Sequence, residues 1–280
     1  MLFRSYPAKP VRLIVPSPGG TVDVVTRIFA GKLSERWGQT VFIENRAGAG
    51  GNIGGDAIAR ATPNGYTLGM ATSGPLANNK MLYTSMPYDP AVAFTPIVMV
   101  GEIPVTVAVN PKLDAKTLTD LVALAKAQPG RMNAGSPGNG TVGHLTLELF
   151  KATVGVDIVH IPYNGDTPAI TDLLSGSTQA VFVPLTALVP QFQGGALRGL
   201  AVLSKARFAG IPDLPTAIEQ GINIEATGWF ALVGPAGLPA PVVETLNREV
   251  NAIIASPDGQ KQLAQDRKST RLNSSHLGIS

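Results

Sequence analysis

The chain has no cysteine, which removes disulfides, thiolate nucleophiles and cysteine-ligated zinc from consideration while leaving the redox compartment open. Histidine is scarce. Of three, His144 and His160 lie in the body and His276 close to the C-terminal end. There is no HExxH and no grouping of histidine with carboxylates at ligand spacing, so no catalytic metal is expected. No apolar run approaches the roughly 18–20 uninterrupted residues of a membrane span. A P-loop lysine is missing, and no carboxylate pair of glycosidase type stands out. Charge is also sparse, at 15% of residues. The formal surplus of +3 belongs to the extremities: Arg4, Arg267, Lys268 and Arg271 lie in end segments without a single acid, and without them the balance falls to −1. A nucleic-acid surface is therefore not expected.

What the chain does have is an apolar fraction of 44%, with 31 glycines and 23 prolines, enough for a substantial core and many turns. Two glycine-rich turns carry most of its functional signal: Pro16-Ser17-Pro18-Gly19-Gly20-Thr21 and Ser136-Pro137-Gly138-Asn139-Gly140-Thr141. Each follows a strand-like run (11–15; 132–135) and opens a helix-like one (23–37; 142–153). A strand, a turn poor in side chains and a helix start present unpaired N–H groups at the positive end of a helix dipole, which makes an anion site out of main chain. One such turn in each half of the chain points to two lobes gripping a single anionic ligand between them.

Pattern order supports two lobes. VRLIVP at 11–16 reads as a buried parallel strand, and the helix after it places Val24, Val25, Ile28, Phe29, Leu33 and Trp37 on one stripe, with Gly38 as its stop. Strands at 40–44 and 66–71 flank a short alanine-rich helix. This alternation predicts an α/β fold with a mostly parallel sheet, whose ligands sit beyond the carboxyl ends of the strands; there fall Ser17, Gly19, Gly20 and Thr21, with Thr72, Ser73 and Gly74. The β-rich run 97–110 breaks the alternation and reads as a crossing into a second lobe. A capped helix follows at 117–128 with a Thr117/Asp120 capping box, then strands at 132–135, 156–162, 178–183 and 198–204 and helices at 142–153 and 168–175. A second long β-rich run, 225–235, reads as the crossing back, and the amphipathic helix 241–255 rejoins the first lobe. The predicted lobes are 6–100 with 228–266, and 101–227.

Two enzymatic readings compete for the second turn. Residues 138–143 satisfy GxGxxG, and Asp166 stands where a dinucleotide fold keeps its ribose-binding acid, so a nucleotide-dependent α/β enzyme is the alternative. Against it, Pro137 stiffens the turn, and Asp166 also suits the N-cap of the helix that carries Pro168. The stretch 134–138 approaches the GxSxG nucleophile elbow, but His144 lies on the helix right after Ser136 and His160 only a little further on, not late in the chain as a serine hydrolase requires. No catalytic residue is assigned.

From about Tyr6 to Asp266 the chain resembles the Bug-type periplasmic solute-binding receptors of tripartite tricarboxylate transporters. The resemblance rests on YPAKPVRLIVP at 6–16, Gly19-Gly20 with Asp23, and ENRAGAGGNIGGDAIARATPNGYTL at 44–68. MPYDP at 86–90, AGSPGNGTVGH at 134–144, VHIPYNG at 159–165 and LPT at 214–216 extend it. It implies a two-lobed periplasmic-binding-protein fold of the Venus-flytrap, type II-like kind, with two hinge crossings. It also implies a monomer that binds a small organic carboxylate (a di- or tricarboxylate, an amino acid or an aromatic acid) and delivers it to membrane transporter subunits, with no cofactor, no nucleic acid and no catalysis. Carried over by position, the first-lobe site is Ser17, Pro18, Gly19, Gly20, Thr21, Thr72, Ser73 and Gly74. The second-lobe site is Ser136, Gly138, Asn139, Gly140, Thr141 and His144, with Tyr163, Asn164 and Gly165 across the cleft. Neither turn holds an arginine or lysine, so neutral donors would bind the carboxylates.

Three departures from the family pattern stand out. The first turn is one residue short, with Ser17 where a bulky aromatic is common, which implies an altered or roomier pocket. Val183-Pro184 replaces a frequently polar or acidic position, which weakens the case for ammonium recognition there. The ends, 1–5 and 267–280, read as non-native segments, so that a signal peptide and a closing element of the first lobe would be missing and the chain destabilised.

Overall fold

The computed structural model describes residues 6–16 and 20–265. Ser17, Pro18, Gly19 and the end segments 1–5 and 266–280 lie outside the described residues. The chain divides into two compact units: residues 6–16, 22–102 and 229–265 form the first, and 20–21 with 103–228 the second.

The first unit begins with β1 (Val11–Val15), an apolar run that buries every residue but Arg12, as a parallel strand covered on both faces must. Helix α1 (Thr21–Trp37) follows, and Gly38, at φ 61°, ends it by donating its N–H to the Ser34 carbonyl at 3.0 Å. Its buried stripe is Val22, Val25, Phe29 and Leu33. Val24, expected on that stripe, is 37% exposed instead, because it lies about 100° round the helix from Val25. Next come β2 (Val41–Asn45), α2 (Asn52–Ala59), β3 (Thr67–Thr72), a π-helical turn at Gly74–Asn78, and the short α3 (Asn79–Leu82) and α4 (Pro90–Ala93). Strand β1 pairs in parallel with both β2 and β3, with Leu13 opposite Ile43 and Leu68. The long strand β4 (Phe94–Val109) then carries the chain out of the first unit at Glu102.

In the second unit, α5 (Leu118–Ala127) starts with the expected capping box: Thr117 Oγ1 accepts from the Asp120 N–H at 3.1 Å, and the Asp120 carboxylate accepts from the Thr117 N–H at 2.9 Å. Then follow β5 (Asn133–Ser136), α6 (Val142–Val154), β6 (Val159–Pro162), α7 (Asp166–Ser175), β7 (Ala180–Pro184), α8 (Leu185–Gln193) and β8 (Arg198–Val202). Strand β5 sits between β6 and β7 and is parallel to both, while β4 pairs antiparallel with β7 and β8. The sheet is thus parallel in its βα series and antiparallel where the crossing strand enters. Phe150 of α6 packs on Phe182 of β7 with ring centroids 5.4 Å apart, inside a core that includes Val105, Leu118 and Leu147. Helix α8 escapes sequence reading because Pro190 interrupts its pattern.

The strand β9 (Thr227–Pro235) returns the chain to the first unit, where it pairs antiparallel with β3, Met70 facing Leu232. Two helices close the described chain, α9 (Ala240–Ala255) and α10 (Pro257–Gln265). Helix α9 buries Val242, Leu246, Val250 and Ile253, and its Asn247 side chain donates to the Ile97 carbonyl at 2.7 Å.

Gly31 sits in the middle of α1, with nothing within 4 Å of where a Cβ would project. Gly31→Ala is expected to raise unfolding stability by about 0.5–1 kcal/mol, read as a higher urea midpoint at unchanged slope, because alanine loses less backbone entropy in a helix.

Candidate functional site

Parallel pairing of β1 with β3 brings the carboxyl end of β1 and the segment Thr72, Ser73, Gly74 out at the same edge of the first sheet. Ser73 and Gly74 are buried, and Thr72 is half-buried. Thr21, the first residue of α1, is only 6% exposed, and its Oγ1 finds no hydrogen-bond partner among the described residues. A buried hydroxyl without a partner is costly unless something binds it.

The second turn is tightly wired. Gly138 adopts φ 134°, a conformation open to glycine, and a Cβ there would lie 2.8 Å from the Tyr163 carbonyl oxygen. Thr141 caps α6: its Oγ1 donates to the Gly138 carbonyl at 2.7 Å and accepts from the His144 N–H at 3.4 Å. The Thr141 N–H also donates to Gly138 O, and the Gly140 N–H donates to His144 Nδ1 at 3.1 Å. The donors still open at this turn are therefore the N–H groups of Val142 and Gly143, the first helical residues of α6, which have no acceptor among the described residues. Asn139 and Asn164 are exposed. The Gly165 N–H donates to the Pro137 carbonyl and the Tyr163 N–H to the Ser136 carbonyl, so these two amides join the β5–α6 and β6–α7 turns. The Tyr163 hydroxyl donates to the Asp172 carboxylate at 2.6 Å.

The two histidines come together with Ser136. Their rings stack at 4.2 Å between centroids and 19° between planes, and His160 Nε2 lies 2.7 Å from Ser136 Oγ. Burial first, then the adjacent His144, pushes His160 down to about 4, and burial also lowers His144. Both rings are neutral at pH 7. Since His144 Nδ1 accepts a hydrogen bond, the neutral ring carries its proton on Nε2 and can donate it. The Ser136–His160 pair resembles a nucleophile and base, but Ser136 has no exposed surface and its Oγ accepts from the Gly138 N–H at 3.2 Å. No carboxylate bonds His160 among the described residues. The pair is legible only through the β5–β6 register, which sets His160 opposite Ala134, two residues from Ser136.

Asp166 departs from its expected N-cap role. Gly165, at φ 111°, occupies the N-cap, and Asp166 is the first helical residue, 6% exposed. Burial raises its carboxyl to about 7.

A separate cavity of about 510 Å³ in the first unit is lined by Arg12, Arg46, Asn52, Asp56, Arg60 and Tyr83 among others. Its arginines are already matched: Arg12 and Arg46 bond Glu44, and Arg60 bonds Asp56 at 2.6 Å. Among the described residues no cluster could hold a metal ion, and no helix is long and apolar enough to cross a membrane.

Comparison with known proteins gives a concordant result. A family model described as the tripartite tricarboxylate transporter family receptor matches residues 25–275. Protein BugT of Bordetella pertussis is 40% identical over 255 residues, covering 90% of this chain and 78% of that protein. Among solved structures, R. palustris Rpa4515 with adipate superposes with a TM-score of 0.92 at 35% identity, covering 95% of this chain and 89% of the other. MatC (Rpa3494) from Rhodopseudomonas palustris with bound malate superposes with a TM-score of 0.89 at 27% identity, over 95% and 91% of the two chains.

Proposed function

The chain belongs to the tripartite tricarboxylate transporter receptor family, and from that premise we propose that it captures a small organic carboxylate outside the cytoplasm and hands it to the membrane subunits of such a transporter. In this reading the protein binds and releases its ligand unchanged, and its place is the periplasm. The observation that carries it is the α6 start: two open N–H groups, Val142 and Gly143, at the positive end of a 13-residue helix, beside a neutral His144. Gly138, Asn139, Gly140 and Thr141 shape that turn, with Asn164 next to it. Gly20 and Thr21, with Thr72, Ser73 and Gly74, are the contacts proposed from the other turn. The relatives with adipate and malate support a carboxylate as the class of ligand.

Energetics allow this without a cation. A hydrogen bond to a charged group contributes about 1.5–3 kcal/mol, and a micromolar complex requires about 8 kcal/mol net. A few amide and hydroxyl donors on two turns reach that figure after ordering costs.

Thermal unfolding with adipate, malate and citrate tests the proposal. A ligand at a hundred times its Kd is expected to stabilise the protein by about 2.7 kcal/mol, a rise in Tm of several degrees. No shift with any carboxylate, together with a shift from NAD or ATP, would overturn it in favour of a nucleotide enzyme built on 138–143.

A further inference from the structure

Among the described residues, Asp166 is the one deeply buried carboxyl near the proposed site that no interaction explains. It is 6% exposed, and no hydrogen bond or ion pair reaches its side chain among those residues. It does not cap its own helix, and the residue two positions on, Pro168, offers no N–H. Its carboxylate fills the space where a Cβ on Gly20 would stand, and Gly20 and Thr21 pack as part of the same unit as Asp166. Thr21 brings the unpartnered Oγ1 described above. Gly165 and Tyr163, just before Asp166, are bonded through their amides to Pro137 and Ser136 at the root of the α6 turn. A buried carboxyl without a partner therefore stands beside the donors proposed to hold an anion.

We propose that the Asp166 carboxylate is the counter-charge for a cationic group on the ligand, so that the protein selects carboxylic acids bearing an amino group over their plain counterparts. This rests on the carboxylate-receptor reading. A carboxylate removed from water without compensation is costly, and its cost is relieved either by protonation or by a cation. Its upward titration to about 7 is the first kind of relief. A ligand ammonium supplies the second and holds the group ionised. The two ends of such a ligand then meet matched chemistry: its carboxylate the neutral donors of α6 and His144 Nε2–H, its ammonium Asp166.

The experiment is calorimetric titration of the full chain at pH 8 with matched pairs: aspartate and succinate, glutamate and glutarate, 2-aminoadipate and adipate. The wild type is expected to bind the amino member of at least one pair about tenfold or more tightly than its plain partner. Asp166→Asn should collapse that ratio to near one, and Asp166→Ala, a second variant should the first fail to fold, should do the same. Equal or better binding of the plain member in every pair overturns the inference while leaving the receptor reading standing, and so does a ratio unchanged in both variants. Binding of plain diacids that weakens as pH rises through 7 also overturns it, since Asp166 would then act as a protonated donor. If no carboxylate of either kind binds, the receptor reading falls with it.

Discussion

Asp166→Asn is expected to make the ligand-free protein more stable by about 2–4 kcal/mol at pH 8, with the gain shrinking to nothing near pH 4. Burial raises the Asp166 carboxyl from 3.8 to about 7, and each tenfold weakening of an acid on folding is worth about 1.4 kcal/mol. The folded state therefore holds this proton over a range in which the unfolded chain has lost it. Stability is undiminished below pH 3.8, falls as pH rises towards 7, and is flat above. Asparagine has nearly the shape of the neutral acid and cannot ionise, so it removes this slope; the cost of its own buried amide keeps the gain below the full amount. Asp89, Asp120 and Glu219, whose carboxyls hydrogen bonds hold low, tilt the curve in the opposite direction, but they are common to both proteins and cancel in the difference. Paired urea titrations across pH 4–8 check this. A difference that does not vary with pH would mean that Asp166 is solvated or already paired. An amino-bearing ligand should reverse the sign of the substitution, since it stabilises the ionised carboxylate.

Asp166 also shows where sequence reading stops. Its position two residues before Pro168 suits an N-cap, yet Gly165 takes that place and the acid enters the helix and the interior. Local propensity ranks capping residues; it does not report burial, which depends on chain distant in sequence such as Gly20. The same limit applies to Ser136 and His160, whose 2.7 Å approach follows from strand pairing. Features governed by short-range rules are readable: the apolar β1, the Thr117/Asp120 box, the Gly38 stop and the two long crossing strands all stand close to where pattern places them. The failures are as informative. Pro190 conceals α8, the four-residue helices α3 and α4 are too short to show a period, and Val24 falls off a stripe that begins at Val22. At the candidate site the residue types are legible as a neutral, glycine-rich anion turn. Which of its donors remain open is not, because Gly138, Gly140 and Thr141 direct their N–H groups inward to Ser136, His144 and Gly138.

Those open donors depend on how closely α6 lies against β7, and Gly143→Ala is expected to break that seat. Gly143 is the second residue of α6; a Cβ there would run into the carbonyl oxygen of Phe182 and lie 2.8 Å from Pro137 Cδ. Neither neighbour can rotate aside. The carbonyl belongs to the backbone of β7, where Phe182 is fully buried opposite Val107 of β4, and the Cδ is part of a proline ring. At Gly69, by contrast, the obstructing atom is the tip of the Ile58 side chain, which can repack. The helix start must therefore move outwards, carrying the Thr141 cap and the Gly140–His144 bond with it. Overpacking of this kind costs about 1–3 kcal/mol, and strain on the cap adds about 0.5–2 kcal/mol. The expected loss is about 3 kcal/mol, opposite in sign to Gly31→Ala although the substitution is the same. Adipate or amino-acid affinity should fall at least about tenfold, because preorganised donors bind in proportion to how well they are held. Urea unfolding and calorimetry of the one variant read both effects. A Gly143→Ala protein within about 0.5 kcal/mol of the wild type would show that α6 is not seated on β7 as described, and the anion site built on its first turn would lose its physical basis.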